Sequence, residues 1–146
     1  MPQLELTATP SPDDLAVIGE TLTAFNHADV GPADRQTLAV LIRNEDGTVI
    51  GGLSGYTAWG WLFTQLLFIP EGQRGTGLAG RLLTMAEEEA ANRGCHGAWI
   101  DTFSPTALKA YLKQGYEIFG ELPDFPKGRT RTFLRKALTP SGAGAE

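Results

Sequence analysis

Residues 73–83, QRGTGLAGRLL, place Gly75, Gly77 and Gly80 between an apolar run that ends at Pro70 and a stretch of good helix formers. Glycine loses more conformational freedom on folding than any other residue, so such a cluster weakens a chain unless something offsets it. At the start of a helix the usual reason is close approach of a ligand to the backbone, and the ligand that suits unpaired helix amides is an anion, above all a phosphate. A strand, a glycine loop and a helix in that order also restrict the fold, because the strand must lie in a sheet that the following helix covers.

The elements around this unit follow from local chemistry. Residues 3–8, QLELTA, alternate apolar and polar and predict a strand. Ser11 caps a helix that has Pro12 in its first turn, Asp13 and Asp14 at the positive end, and Leu15, Ile18, Leu22 and Phe25 at helical spacing. Two apolar runs, 38–44 and 48–56, flank Glu45-Asp46-Gly47 and predict a hairpin. A strand over 61–69 enters the glycine loop. The helix over 78–93 carries Leu78, Leu82, Met85 and Ala86 on one face, with Glu87–Glu89 expected in solvent, and stops at Gly94. Further on come a strand over 97–103, a helix from Pro105 to about Gln114, and two strands, YEIFGEL and RTFLRKAL, joined by PDFPKG. The order is β-α-β-β-β-α-β-α-β-β, an α+β (mixed α/β) fold. One domain over residues 1–138 is expected, with the small, polar tail 139–146 disordered.

Composition narrows the partners. A net charge of −5 with twelve scattered lysines and arginines argues against a nucleic-acid surface and suits an amine-bearing partner. No apolar run approaches the ~18 residues of a membrane span, the N-terminus lacks the pattern of a signal peptide, and a cytoplasmic protein is expected. Cys95 is the only cysteine, so neither a disulfide framework nor a metal constellation is expected. Cys95 itself is read as buried and structural, and His96 as a packing or surface residue.

Three phosphate-binding patterns compete for the loop. In a P-loop, Gly72 and Gly77 would have the right separation, but Leu78 stands where the lysine should be. The dinucleotide fingerprint fits by letters, with Gly75-x-Gly77-x-x-Gly80 and Asp101 at the end of the next strand. Against it, PEGQR separates the strand from the first glycine, and the chain beyond Asp101 is too short for a second nucleotide-binding half. The third pattern keeps that spacer. Arg74, Gly77 and Ala79 match Q/R-x-x-G-x-G/A, and Ser104-x-x-Ala107-x-x-Ala110-Tyr111-x-Lys113-x-Gly115-Tyr116 matches a second, linked segment. Together these resemble the GNAT superfamily of N-acetyltransferases, and the likeness in element order runs from Leu38 to Leu138.

That resemblance implies a central, mostly antiparallel sheet with helices on both faces, and acetyl-CoA as co-substrate. It implies that Gln73, Arg74, Gly75, Thr76, Gly77, Leu78, Ala79 and Gly80 wrap the pyrophosphate. Backbone groups around Leu67 and Ile69 would pair with the pantetheine arm, and Ser104, Ala107 and Lys113 would line it, with Ser104 replacing the usual Asn. Tyr111 stands at the position of the family's general acid, although Ala107, Leu108, Tyr111 and Leu112 also form an apolar stripe. The strand carboxylate that many relatives use as base is missing, since Thr64 and Gln65 stand there; Asp101 is the replacement candidate. Asn26, His27, Tyr56, Trp59 and residues 123–126 are candidates for the acceptor's walls. The expected activity is acetylation of an amine on a small molecule or peptide, with an acetyl-CoA-binding regulatory module as the alternative and a homodimer as a further expectation from exposed sheet edges.

Overall fold

A computed structural model describes residues 1–141 and divides the chain into two compact units, Met1–Ala33 and a second from Asp34 onward. The first unit holds α1 (Pro12–Val30). Ser11 Oγ accepts from the Asp14 amide at 3.0 Å, and the helix stops at Gly31, whose N–H donates to His27 O at 2.9 Å. Residues 3–8 form no strand. The alternation of Leu4 and Leu6 is present, but a strand exists only through a ladder with a neighbour, and these residues make none.

In the second unit, β1 (Gln36–Arg43), β2 (Val49–Ala58) and β3 (Trp61–Phe68) form an antiparallel meander. After β3 come a short 3-10 turn (Glu71–Gln73) and α2 (Leu78–Asn92). Then follow β4 (Gly97–Thr102), α3 (Pro105–Lys113), β5 (Glu117–Pro123) and β6 (Thr130–Ala137). The six strands lie in the order β1-β2-β3-β4-β6-β5, and β3 and β4 are the parallel pair. A parallel pair needs a crossover, and α2 supplies it.

Alternate residues of the strands, including Leu38, Leu53, Leu62, Ala98, Ile100 and Leu134, pack with Leu82, Leu83, Ala86 and Ala90 of α2 and with Tyr111 and Tyr116 into one core. Each of these leucine and isoleucine side chains, fully buried, contributes about 1.5–3 kcal/mol. Cys95 belongs to this core, as its sequence setting implied, and burial pushes its thiol up in pKa, partly offset by the Arg93 charge. Glu87, expected in solvent, is buried instead. Its carboxylate accepts from Lys136 Nζ at 2.7 Å and from the Tyr116 hydroxyl at 2.9 Å, partners that only the tertiary fold brings together. Ser141, in the segment expected to be a disordered tail, donates its amide to Ala91 O at 3.0 Å. Residues 142–146 lie outside the described residues.

Candidate active site

The glycine loop is a built turn. Pro70 O and Glu71 O accept from the amides of Gln73 and Arg74 at 2.8 and 3.3 Å, and Thr76 Oγ1 donates to Gln73 O at 2.7 Å. Arg74 Nε donates to Ile69 O at 2.9 Å, so the residue after the turn is tied back to the end of β3. Gly75 and Gly77 then take the left-handed conformation, with φ of 77° and 79°. A Cβ on either would meet nothing within 4 Å. Glycine is required there by the backbone path, and the space beyond is open.

Gly80 has a different role: a Cβ on it would lie 3.3 Å from Gln114 Oε1, so it lets α2 and α3 pack closely. Among the described residues the amides from Gly75 to Gly80 find no backbone acceptor, and no side chain caps α2 at Gly77. Six unpaired donors at the positive end of a fifteen-residue helix make an anion cradle. Among the described residues no carboxylate pairs with Arg74.

Beside this cradle the sheet opens. β3 and β4 pair from Trp61↔Gly97 to Thr64↔Ile100 and no further. Beyond that rung β3 continues against β2 alone, and β4 against β6 alone. The register of β2 with β3 slips between Ser54 and Gly55, which pair with Leu66 and Thr64, leaving Gln65 as a bulge. A bulge bends and twists its strand, and this one lies where the two strands diverge. From Gln65 to Phe68 the edge of β3 that would face β4 has no strand partner among the described residues. Leu67 and Ile69 lie along this open stretch, half-buried against the core.

Tyr111 is 4% exposed on α3. Burial, and secondarily the negative charge of Asp101, push its phenol up to about 12, so it holds its proton throughout the neutral range. Asp101 stands one residue past the last β3–β4 rung, and its Oδ1 accepts from Arg131 Nη1 at 3.0 Å. Arg131 also lies over the Phe125 ring at 4.1 Å. The loop amides, the open β3 edge, Tyr111 and Asp101 therefore belong to one end of the sheet, the end where β3 and β4 separate.

Other sequence candidates are placed differently. Ser104 Oγ accepts from the Ala107 amide at 3.2 Å and is thus occupied as the cap of α3. Ala107 packs half-buried against the core, and Lys113 is exposed at the end of α3. Tyr56 lies under the Arg35 guanidinium at 3.6 Å and edge-on to Phe63. Trp59 is half exposed in the β2–β3 turn, residues 123–126 are exposed, and Asn26 and His27 lie on α1 in the first unit. The stacked pair Phe63–Trp99, with ring centroids 3.9 Å apart, joins the sheet below the fork. The β3 bulge and the Glu87–Lys136 pair carried no sequence signal, since both depend on register between strands distant in the chain.

Comparison with known proteins gives a consistent result. The model of the acetyltransferase (GNAT) family matches residues 9–116. An acetyltransferase of Agrobacterium fabrum is 50% identical over 119 residues, covering 82% of this chain and 87% of that protein. Blasticidin-S acetyltransferase of Streptomyces morookaense is 39% identical over 95 residues, covering 64% and 70%. A crystal structure of a candidate acetyltransferase from Agrobacterium tumefaciens superposes with a TM-score of 0.89 at 44% identity, covering 93% of this chain and 99% of that one.

Proposed function

Because this chain belongs to the GNAT family of acetyltransferases, we propose that it carries the acetyl group of acetyl-CoA to an amine on a small molecule by direct attack of the amine nitrogen on the thioester carbon. The observation that carries this reading is the adjacency of an anion cradle, an unpaired β3 edge and a buried, protonated tyrosine. The amides from Gly75 to Gly80, with Gln73 and Arg74, hold the pyrophosphate. The open edge of β3 at Leu67 and Ile69 pairs with the amides of the pantetheine arm and orients the thioester, while Ala107 and Lys113 flank it.

The bound group supplies an activated acyl carbon. A C–N bond forms there and the C–S bond breaks, with the electron pair leaving on sulfur. Tyr111 donates its phenolic proton to that sulfur, a proton that a phenol retains throughout the neutral range. The amine gives up one proton in exchange. Asp101 takes it through water on Oδ2, the oxygen outside its bond to Arg131. Blasticidin S is the first acceptor to try, given the likeness to its acetyltransferase.

The test compares acetyl-CoA with NAD at matched concentrations in a thermal-shift assay, followed by thiol release with a panel of amines. A ligand at a hundred times its dissociation constant stabilises the native state by about 2.7 kcal/mol. A rise in Tm with acetyl-CoA alone, then thiol release with blasticidin S or another amine, is expected. A rise with NAD alone would return the loop to the dinucleotide reading. Acetyl-CoA binding without release above background across the panel would favour the regulatory module.

A further inference from the structure

Thr64 is 2% exposed and its Oγ1 has no hydrogen-bond partner among the described residues. A buried hydroxyl without a partner is costly, by about 1–3 kcal/mol relative to a satisfied one, and valine would fill the same volume without that cost. The residue sits on the last rung that joins β3 to β4, immediately before the bulge at Gln65. Its side chain faces the core with Leu62, the face on which Tyr111 also packs.

An arm anchored by its phosphates at the glycine loop and laid along the open β3 edge runs from Ile69 back towards Thr64. That path is about 16 Å long at ~3.3 Å per residue. Its far end is the closed end of the fork. Resting on the coenzyme A reading above, we propose that the Thr64 hydroxyl donates a hydrogen bond to the carbonyl oxygen of the acyl thioester. Thr64 thus distinguishes an acylated from a free coenzyme and helps hold the negative charge that gathers on that oxygen during attack.

The test uses Thr64→Val, which keeps the shape and removes the hydroxyl, and Thr64→Ser, which keeps the hydroxyl. Calorimetry gives the affinities of all three proteins for coenzyme A and acetyl-CoA, and melting gives their unliganded stability. The wild type should prefer acetyl-CoA. In Thr64→Val that preference should fall about fivefold, the worth of one ordinary hydrogen bond. Thr64→Ser should keep it, coenzyme A should bind all three alike, and the unliganded Tm of Thr64→Val should equal or exceed that of the wild type. An unchanged preference in Thr64→Val overturns the proposal and leaves the coenzyme A reading standing. So does an equal loss of affinity for both ligands, or a Tm several degrees lower, since either shows a structural role for the hydroxyl. A wild type that binds neither ligand removes the coenzyme A reading, and this proposal with it.

Discussion

Gly75, Gly77 and Gly80 look equivalent in the sequence, yet their neighbourhoods separate them. The first two occupy left-handed backbone beside open space, and the third faces Gln114 on α3. Gly77→Ala should cost about 1–2 kcal/mol through its φ alone and lower acetyl-CoA affinity at least tenfold, because the cradle must distort. Gly80→Ala meets only the end of a flexible side chain, and its affinity should stay within about twofold of wild type. Calorimetry on the two variants decides this; equal losses would mean that the Cβ position of Gly80, and not its amide alone, borders the ligand. Tyr111→Phe should lower kcat by two orders of magnitude or more while acetyl-CoA affinity stays within about twofold, as expected for a proton donor. An unchanged kcat with a good acceptor would assign Tyr111 to the core alone. The turn at Gly77 was legible in the sequence because a left-handed backbone position answers to local shape. The engagement of Ser104 as a helix cap was legible only by its residue type, and that of Asp101 with Arg131 not at all, since thirty residues separate the pair.

At the scale of elements, α3 is held by partners outside itself. Lys136 Nζ donates both to Glu87 and, at 2.8 Å, to Gln114 O just past the end of α3. Gln114 Nε2 reaches Thr84 on α2 at 2.9 Å. Glu87→Ala would leave the Lys136 ammonium, itself three-quarters covered, without its counter-charge. Removing one partner of a buried pair costs on the order of 3 kcal/mol, and Glu87→Gln, which keeps the acceptor oxygen, should cost less. Denaturant melts of both variants give the ordering: equal stabilities of the two would show that the retained oxygen contributes nothing, and a Glu87→Gln protein as stable as the wild type would show that the charge contributes nothing. Gly55 governs another element: a Cβ there would run into the Phe63 carbonyl oxygen beside the bulge. Gly55→Ala should therefore disturb the pairing of β2 with β3 and with it the fork. Periodicity located β2 and β3 to within two residues, but a one-residue bulge leaves no trace in an apolar pattern, so the opening of the sheet was visible only in the register.

For the molecule as a whole, apolar runs bounded by turns, helix caps and a hairpin signal predicted the α-helices and strands from α1 to β6 but not the 3-10 turn Glu71–Gln73, and the one strand that failed, residues 3–8, was predicted from alternation alone. A cap or a turn is satisfied by its own neighbours in the chain, whereas a strand waits on a partner. The buried tyrosines carry a property of the entire fold in the same way. Tyr111 is pushed up to about 12 by burial and then by Asp101, and Tyr116 is pushed up further, by burial first and then by the charge and hydrogen bond of Glu87. Lys136 Nζ, 5.7 Å from the Tyr116 ring centroid, is the cation on that side. In the unfolded chain a tyrosine releases its proton near pH 10. Below pH 10 both states keep the phenolic protons, and the tyrosines make no difference to stability. Above it the unfolded state binds fewer protons than the folded one, so stability falls as pH rises. The Tyr111 share of that loss runs from about pH 10 to about pH 12, and the Tyr116 share continues beyond. Melting temperature measured from pH 8 to pH 11 should hold its tyrosine contribution to about pH 10 and then decline. The decline should be shallower in Tyr116→Phe, and the phenolate absorbance of Tyr111 and Tyr116, read in a Tyr56→Phe background, should rise together with unfolding rather than ahead of it. A phenolate signal from Tyr111 or Tyr116 that develops in the folded protein near pH 10 would mean that the ring giving it is not shielded by the fold.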